Sequence, residues 1–370
     1  MDTANESNGK RSSRRKGSYL GLAIALVVVV GAAWVAIDRS GGQGKSQRSG
    51  ALVTTVSEYK NVDTVAGLER GGSGGFFSNL LNGPRGVALD DSGNVYVADT
   101  NNHRVQRWAP GATAGVTVVG GNGQGSAANQ FNFPHGVALD DSGNVYVLDT
   151  NNHRVQKFAS GCTNTCTSTC TGLTVAGGNG RGANPNQFEE PNALALDAAR
   201  NVYVADRFNY RVQRWAPGAT AGVTVAGGNG PGANPNQLSS PAGLAVDSNL
   251  NLYVVDLGNH RVQKWPAGCT SACSGVTVAG GNGQGSAANQ FNFPFGVALD
   301  DSGNVYVADT NNHRVQRWAP GATAGVTVAG GNFAGSYPPD FRYPLGVTVD
   351  ANRNVYVADT ENNRVQKWSP

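Results

Sequence analysis

Asn94-Val95-Tyr96-Val97-Ala98-Asp99, preceded by Pro84-Arg85-Gly86-Val87-Ala88-Leu89-Asp90 and followed by Asn102-His103-Arg104-Val105-Gln106, returns with small changes six times along the chain. The Asn that opens the hexapeptide stands at Asn94, Asn144, Asn201, Asn251, Asn304 and Asn354, so successive copies lie 50, 57, 50, 53 and 50 residues apart. A period of that length marks a repeat architecture. Within a copy the apolar residues alternate with a period of two, and Val and Tyr dominate, which suits a pleated, half-buried surface. The first copy reads as four strands, Gly86 to Asp90, Val95 to Ala98, Arg104 to Trp108 and Val116 to Val119. Gly, Asp, Asn and Pro supply the turns between them. A sheet this small cannot bury its own faces, so neighbouring copies must stack as blades in a ring.

The ends of the chain predict how the ring closes. The sixth copy stops at Lys367-Trp368-Ser369-Pro370 without its fourth strand, whereas Asp63-Thr64-Val65-Ala66-Gly67 matches Val223-Thr224-Val225-Ala226-Gly227 with no other strands before it. Residues 62 to 66 should therefore pair with the third strand of the last blade and remove an exposed sheet edge. The expected fold is all-β, a six-bladed β-propeller over 62–370 closed by an N-terminal strand.

The Pro84–Asp90, Asn94–Asp99 and Asn102–Gln106 elements closely resemble the NHL repeat, and the likeness spans about residues 62 to 370. The resemblance implies a six-bladed NHL propeller. It leaves function open, because NHL propellers include extracellular sensor domains of bacterial kinases, RNA-binding domains of tripartite-motif proteins and lyases.

Ahead of the repeats the chain changes character. Lys10, Arg11, Arg14, Arg15 and Lys16 precede an uncharged stretch from Gly17 to Ile37 whose apolar core, 19–37, is 19 residues long. At about 1.5 Å per residue such a helix spans a hydrocarbon layer of roughly 30 Å. The basic flank should stay cytoplasmic. We therefore read 1–18 as a short cytoplasmic tail, 19–37 as a transmembrane signal anchor and 38–61 as a flexible linker, with the propeller extracellular or periplasmic. Secretion after cleavage near Gly31-Ala32-Ala33 is the alternative.

Charge narrows the partners. Of 28 Lys plus Arg and 25 Asp plus Glu, residues 1–50 hold 8 basic and 3 acidic, which leaves 20 minus 22, or −2, for the remainder. The propeller lacks the net positive charge that supplies phosphate affinity, so no nucleic-acid partner is expected. Arg107, Lys157, Arg214, Lys264, Arg317 and Lys367 recur at one position of the third strand and read as a solvated face.

Five cysteines fall in the two stretched copies, Cys162, Cys166 and Cys170 in the second and Cys269 and Cys273 in the fourth. In an oxidising compartment Cys269 with Cys273, and two of the other three, are candidates for local disulfides. Zinc is disfavoured because the Cys-x-x-x-Cys pairs lie in separate blades with no nearby His.

A ligand site is expected where the first strands begin, at one mouth of the central channel. The residue after the strand-opening Pro is Arg85, His135, Asn192, Ala242, Phe295 and Leu345 in turn, polar on one side of the ring and apolar on the other, and such a concave, mixed mouth suits a small molecule or a loop tip. Phe208 and Tyr210 replace Asn and His of the other copies and should add an aromatic patch to the same end. The NHL-like amidating lyases carry metal-binding His at this position in several blades; here only His135 matches. His103, His153, His260 and His313 recur at one loop position, as do Asp99 and Arg104 with their equivalents, and both sets read as scaffolding. The leading expectation is a non-enzymatic, monomeric, membrane-tethered propeller with no metal or cofactor that binds an unidentified protein or small molecule. The alternative is a lyase or hydrolase using Arg85 as a clamp and His135 as acid, base or single metal ligand.

Overall fold

The computed structural model describes residues 59, 61–68, 74–162, 170–331 and 333–370. They form six four-stranded antiparallel sheets, each a run of four sequential strands except the last. That sheet combines Pro344–Val349, Val355–Asp359 and Arg364–Ser369 with Asn61–Gly67 from the other end of the chain. The closing strand runs antiparallel to the last one, from Asn61 opposite Ser369 to Gly67 opposite Arg364. The ring is closed as the spare strand predicted, and Tyr59, three residues ahead of the boundary drawn at 62, is already buried against it at 3 % exposure.

The innermost strands start two residues earlier than their sequence suggests, as in Pro84–Leu89. Pro84 pairs with Asp99 ahead of a register shift before Val87. A proline is tolerated there because the first residue of a strand need donate no ladder hydrogen bond. The following glycine has a different cause. A Cβ at Gly86 would sit 2.7 Å from the carbonyl oxygen of His135 in the next blade, so the inner strands approach too closely for a side chain.

Burial lies between blades rather than within them. One cluster joins Tyr96, Ala98 and Val105 of the first blade to Val137, Val147 and Phe158 of the second, and five others do the same at the remaining junctions. After each second strand a 3-10 turn such as Thr100–Asn102 leads to a left-handed residue, His103 at φ 52°. Asp99 holds this loop by accepting from the Asn82 N–H at 2.7 Å, Asn102 Nδ2 at 2.8 Å and Arg104 Nε at 2.7 Å. The same Asp–Arg pair recurs in all six blades. Lys157 and Lys264 of the third-strand basic row lie over Tyr146 and Tyr253, on the sheets rather than as a free basic surface.

Cys269 and Cys273 form a disulfide with Cα atoms 5.6 Å apart. Cys162 and Cys170 flank residues 163–169, which with Cys166 lie outside the described residues. The tail 1–18, the anchor 19–37 and nearly all of the linker 38–61 also lie outside them. Among the described residues no helix is long and apolar enough to cross a membrane.

Candidate functional site

Every blade sends the residue after its strand-opening proline toward one end of the channel. Arg85, His135 and Asn192 from the first three blades line a cavity of about 100 Å³ together with Phe295 and Leu345 from the last two. Ala242 of the fourth blade is fully buried and packs in the cluster that Phe295 covers. Two larger grooves, of about 860 and 720 Å³, open among the Asp-turns at the other face. Their walls are residues that the framework repeats, such as Asp350, Asn352, Asp300 and Gly303, so size alone does not mark them as sites.

The polar half of the mouth is a row of three side chains from three blades, the first two in hydrogen-bond contact. Arg85 Nη1 lies 3.4 Å from His135 Nδ1. For the guanidinium to donate there, Nδ1 must be unprotonated, which places the imidazole proton on Nε2. The Asn192 side chain lies beside His135 and favours its protonated form. Burial, with the Arg85 and Arg207 charges adding to it, depresses the His135 pKa to about 3 against the pull of Asn192, so the ring is neutral at physiological pH. Burial first and Arg207 second also lower the pKa of Arg85. Asn192 is 4 % exposed, and its Nδ2 has no hydrogen-bond partner.

Arg207 was not singled out in the sequence. It opens the 3-10 turn of the third blade, Arg207–Asn209, where four other blades carry Thr. Those threonines tie each blade to the next, as when Thr100 Oγ1 donates to the Pro134 carbonyl at 2.8 Å and Thr310 Oγ1 to that of Pro344 at 2.8 Å. Arg207 gives up this tie, and its Nε is buried without a partner. The signal was available in the Thr100, Thr150, Thr310 and Thr360 series, which Arg207 and Leu257 interrupt. The guanidinium stacks 4.8 Å from the centre of the Phe208 ring. Phe208, Tyr210 and Arg207 itself are not among the side chains that line the cavity; Phe208 stacks on Arg207, and Tyr210 caps its turn at φ 53°.

The repeated histidines are placed elsewhere. His103, His260 and His313 accept the backbone N–H of Phe133, Phe293 and Tyr343 of the next blade through Nδ1 at 3.2, 3.2 and 3.3 Å. Among the described residues no three His, Cys, Asp or Glu side chains converge as metal ligands.

The architecture and the channel mouth define a six-bladed β-propeller with a polar half-ring facing an apolar one. The NHL repeat matches residues 81–108, 131–158, 238–265, 291–318 and 341–368, so the propeller carries five NHL repeats. The unmatched blade is the third, which carries Asn192-Ala193 and Arg207. No curated protein matches the sequence. Solved structures share the fold. A Bacteroides thetaiotaomicron protein of unknown function aligns with TM-score 0.62 at 17% identity, over 84% of this chain and 75% of that one. An auxiliary nutrient binding protein of the same organism gives 0.60 at 13%, over 83% and 76%. A gluconolactonase of Xanthomonas campestris gives 0.56 at 13%, over 79% and 87%.

Proposed function

We propose that this propeller is a recognition domain, held outside the membrane by its amino-terminal segment, that binds a small molecule or a protein at the channel mouth without transforming it. The use made of His135 carries this reading. A catalytic acid or base works best with a pKa near the operating pH. His135 is driven to about 3, with Arg85 against one ring nitrogen and Asn192 beside it. Such a ring is a neutral acceptor for Arg85 rather than a proton carrier. The propeller's near-neutral charge argues against nucleic acid as the partner. Among the structural relatives, one is called a nutrient binding protein and another a gluconolactonase, so the shared fold serves both binding and hydrolysis. The choice rests on the site.

The test uses the full chain in detergent with a panel of lactones, esters, amides and carboxylates, read by thermal shift and by product analysis, alongside elemental analysis for bound metal. We expect some members to raise the melting temperature without being consumed, and the R85A/H135A/N192A variant to stay folded and lose that response. Turnover of a lactone or ester, abolished in the same variant, would establish the enzymatic reading instead. Protease protection that places the carboxyl end in the cytoplasm would overturn the topology.

A further inference from the structure

The mouth contains more positive charge and more unused donors than its own contacts consume. Arg207 stands close enough to Arg85 and His135 to weaken the charged form of both. Among the described residues neither has a carboxylate partner. Glu361, which shares a rim depression with Arg85, is committed to Arg342 at 2.8 Å. Two donors, Asn192 Nδ2 and Arg207 Nε, are buried with nothing to bond. Native proteins satisfy nearly all such groups, and an isolated buried donor costs on the order of 1–3 kcal/mol. Asn192 lines the cavity, and Arg207 follows Asp206, the strand partner of Pro191, so the two orphans stand at one strand start and call for an acceptor from outside.

The acceptor's chemistry follows from its surroundings. Two guanidiniums and a buried amide, with the imidazole neutral, suit a group with a delocalised negative charge and several lone pairs. Guanidinium N–H forks match the two oxygens of a carboxylate. Phe295 and Leu345 face them across the same small cavity, and these side chains gain by covering carbon, not water. The unmatched third blade supplies both orphans, and Arg207 stands there in place of the threonine tie that four other blades keep.

We propose that the mouth is a clamp for a carboxylate on an apolar body, with Arg85 and Arg207 supplying the charge, Asn192 Nδ2 the buried donor, and Phe295 and Leu345 the wall against which the body rests. Phe208 is a positioning residue that holds the Arg207 guanidinium by stacking. The carboxylate belongs either to a free acid or to the C-terminus of a peptide, and the clamp is the same for both. The inference rests on the reading of the mouth as a binding site.

The experiment measures binding to the full chain in detergent by ligand-observed NMR and calorimetry. The probes are phenylacetate, its neutral isostere phenylacetamide, inorganic phosphate, and a peptide ending in Phe with a free or an amidated carboxyl end. The acid forms should bind at least tenfold more tightly than the amides, and the tighter of phenylacetate and the free-carboxyl peptide identifies the source. Arg207→Thr restores the residue that ties the other blades together, so it should fold with an unchanged or higher melting temperature while the acid preference disappears. Asn192→Asp should abolish acid binding through charge and guards against a misfolded first variant. Equal binding of acid and amide, still lost on Leu345→Ala, would overturn the clamp yet leave the binding mouth intact. Phosphate binding alone, or an acid preference that survives Arg207→Thr, would overturn the assignment. Failure of every probe to bind saturably would also sink it, while the panel experiment decides the broader reading.

Discussion

His103, His260 and His313 are joints between blades. Each occupies a left-handed position, takes the next blade's backbone N–H on Nδ1, and packs edge-on against that residue's ring, Phe133, Phe293 or Tyr343. The last blade does the same with an amide, because Asn363 Oδ1 accepts from the Gly83 N–H at 2.8 Å. An imidazole can accept there only while neutral, and burial lowers all three pKa values. The sign follows from linkage. Below the unfolded value of about 6.5 the unfolded chain takes up protons that the folded chain refuses, so the stability these residues contribute is present above that pH and is lost as pH falls below it. The H103N/H260N/H313N variant keeps an acceptor that does not titrate. It should match the parent at pH 7.5 and lose less stability on going to pH 5 in denaturant titrations, by a modest amount because solvent screens these partly exposed rings. Identical pH profiles for parent and variant would show that the joints do not titrate as described.

At the scale of the element, the loop after each second strand and the start of each inner strand make the repeat legible. Both impose one requirement six times, so the sequence returns to the same residues. Arg364 and Asp359 are fully buried as an ion pair 2.8 Å apart, and Arg364 also donates to the Ser336 and Asp340 carbonyls. Removing the arginine strands a buried carboxylate, so Arg364→Met should cost about 3–5 kcal/mol. The Arg181–Glu189 pair is shorter, at 2.6 Å, but exposed and screened by solvent, so Arg181→Met should cost far less than Arg364→Met. Similar losses in the two variants would contradict this ranking of burial over distance. Gly296 lies outside the left-handed region, so its use comes from close approach, and a Cβ there would meet the Leu345 carbonyl of the next blade. Gly296→Ala should lower stability by about 1–3 kcal/mol by overpacking, outweighing the usual gain of up to about 1 kcal/mol from a stiffer unfolded chain. A raised melting temperature would show that the inner strands can part. The mouth was legible where the repeat leaves a gap, at Arg85, His135, Asn192, Phe295 and Leu345. Arg207 was legible only as a break in the threonine series; that a loop residue of the third blade acts on Arg85 and His135 shows only in the closed ring. Phe208, expected at the mouth, stacks on Arg207 and is not among the cavity-lining side chains, and a stacking partner and a wall residue look alike before the arginine is seen.

The whole ring depends on a joint made by residues far apart in sequence. Asn61–Gly67 completes the sixth blade, and Tyr59 just before it enters the junction between the fifth and sixth, in one cluster with Tyr306, Val355 and Trp368. Its hydroxyl donates to the Arg353 carbonyl at 3.0 Å and lies 3.4 Å from that of Tyr306. The amino-terminal segment thus closes the ring twice, by strand pairing and by an aromatic plug one junction further round. The two contributions can be separated. Tyr59→Phe should cost about 1 kcal/mol for the lost hydrogen bond, and Tyr59→Ala about 3 kcal/mol, since it also empties a packed site. For a domain of this size these losses correspond to a few degrees and to several degrees in melting temperature. Deleting residues 59–67 should do something different in kind. It leaves Arg364–Ser369 as an unpaired edge with its backbone donors exposed, so the variant should associate in a concentration-dependent way as well as melt earlier. Sedimentation in detergent alongside thermal melts distinguishes the cases. If the deletion remains as stable and as monodisperse as Tyr59→Ala, the pairing of chain ends adds nothing beyond the plug, and the ring is held by its six blade interfaces alone.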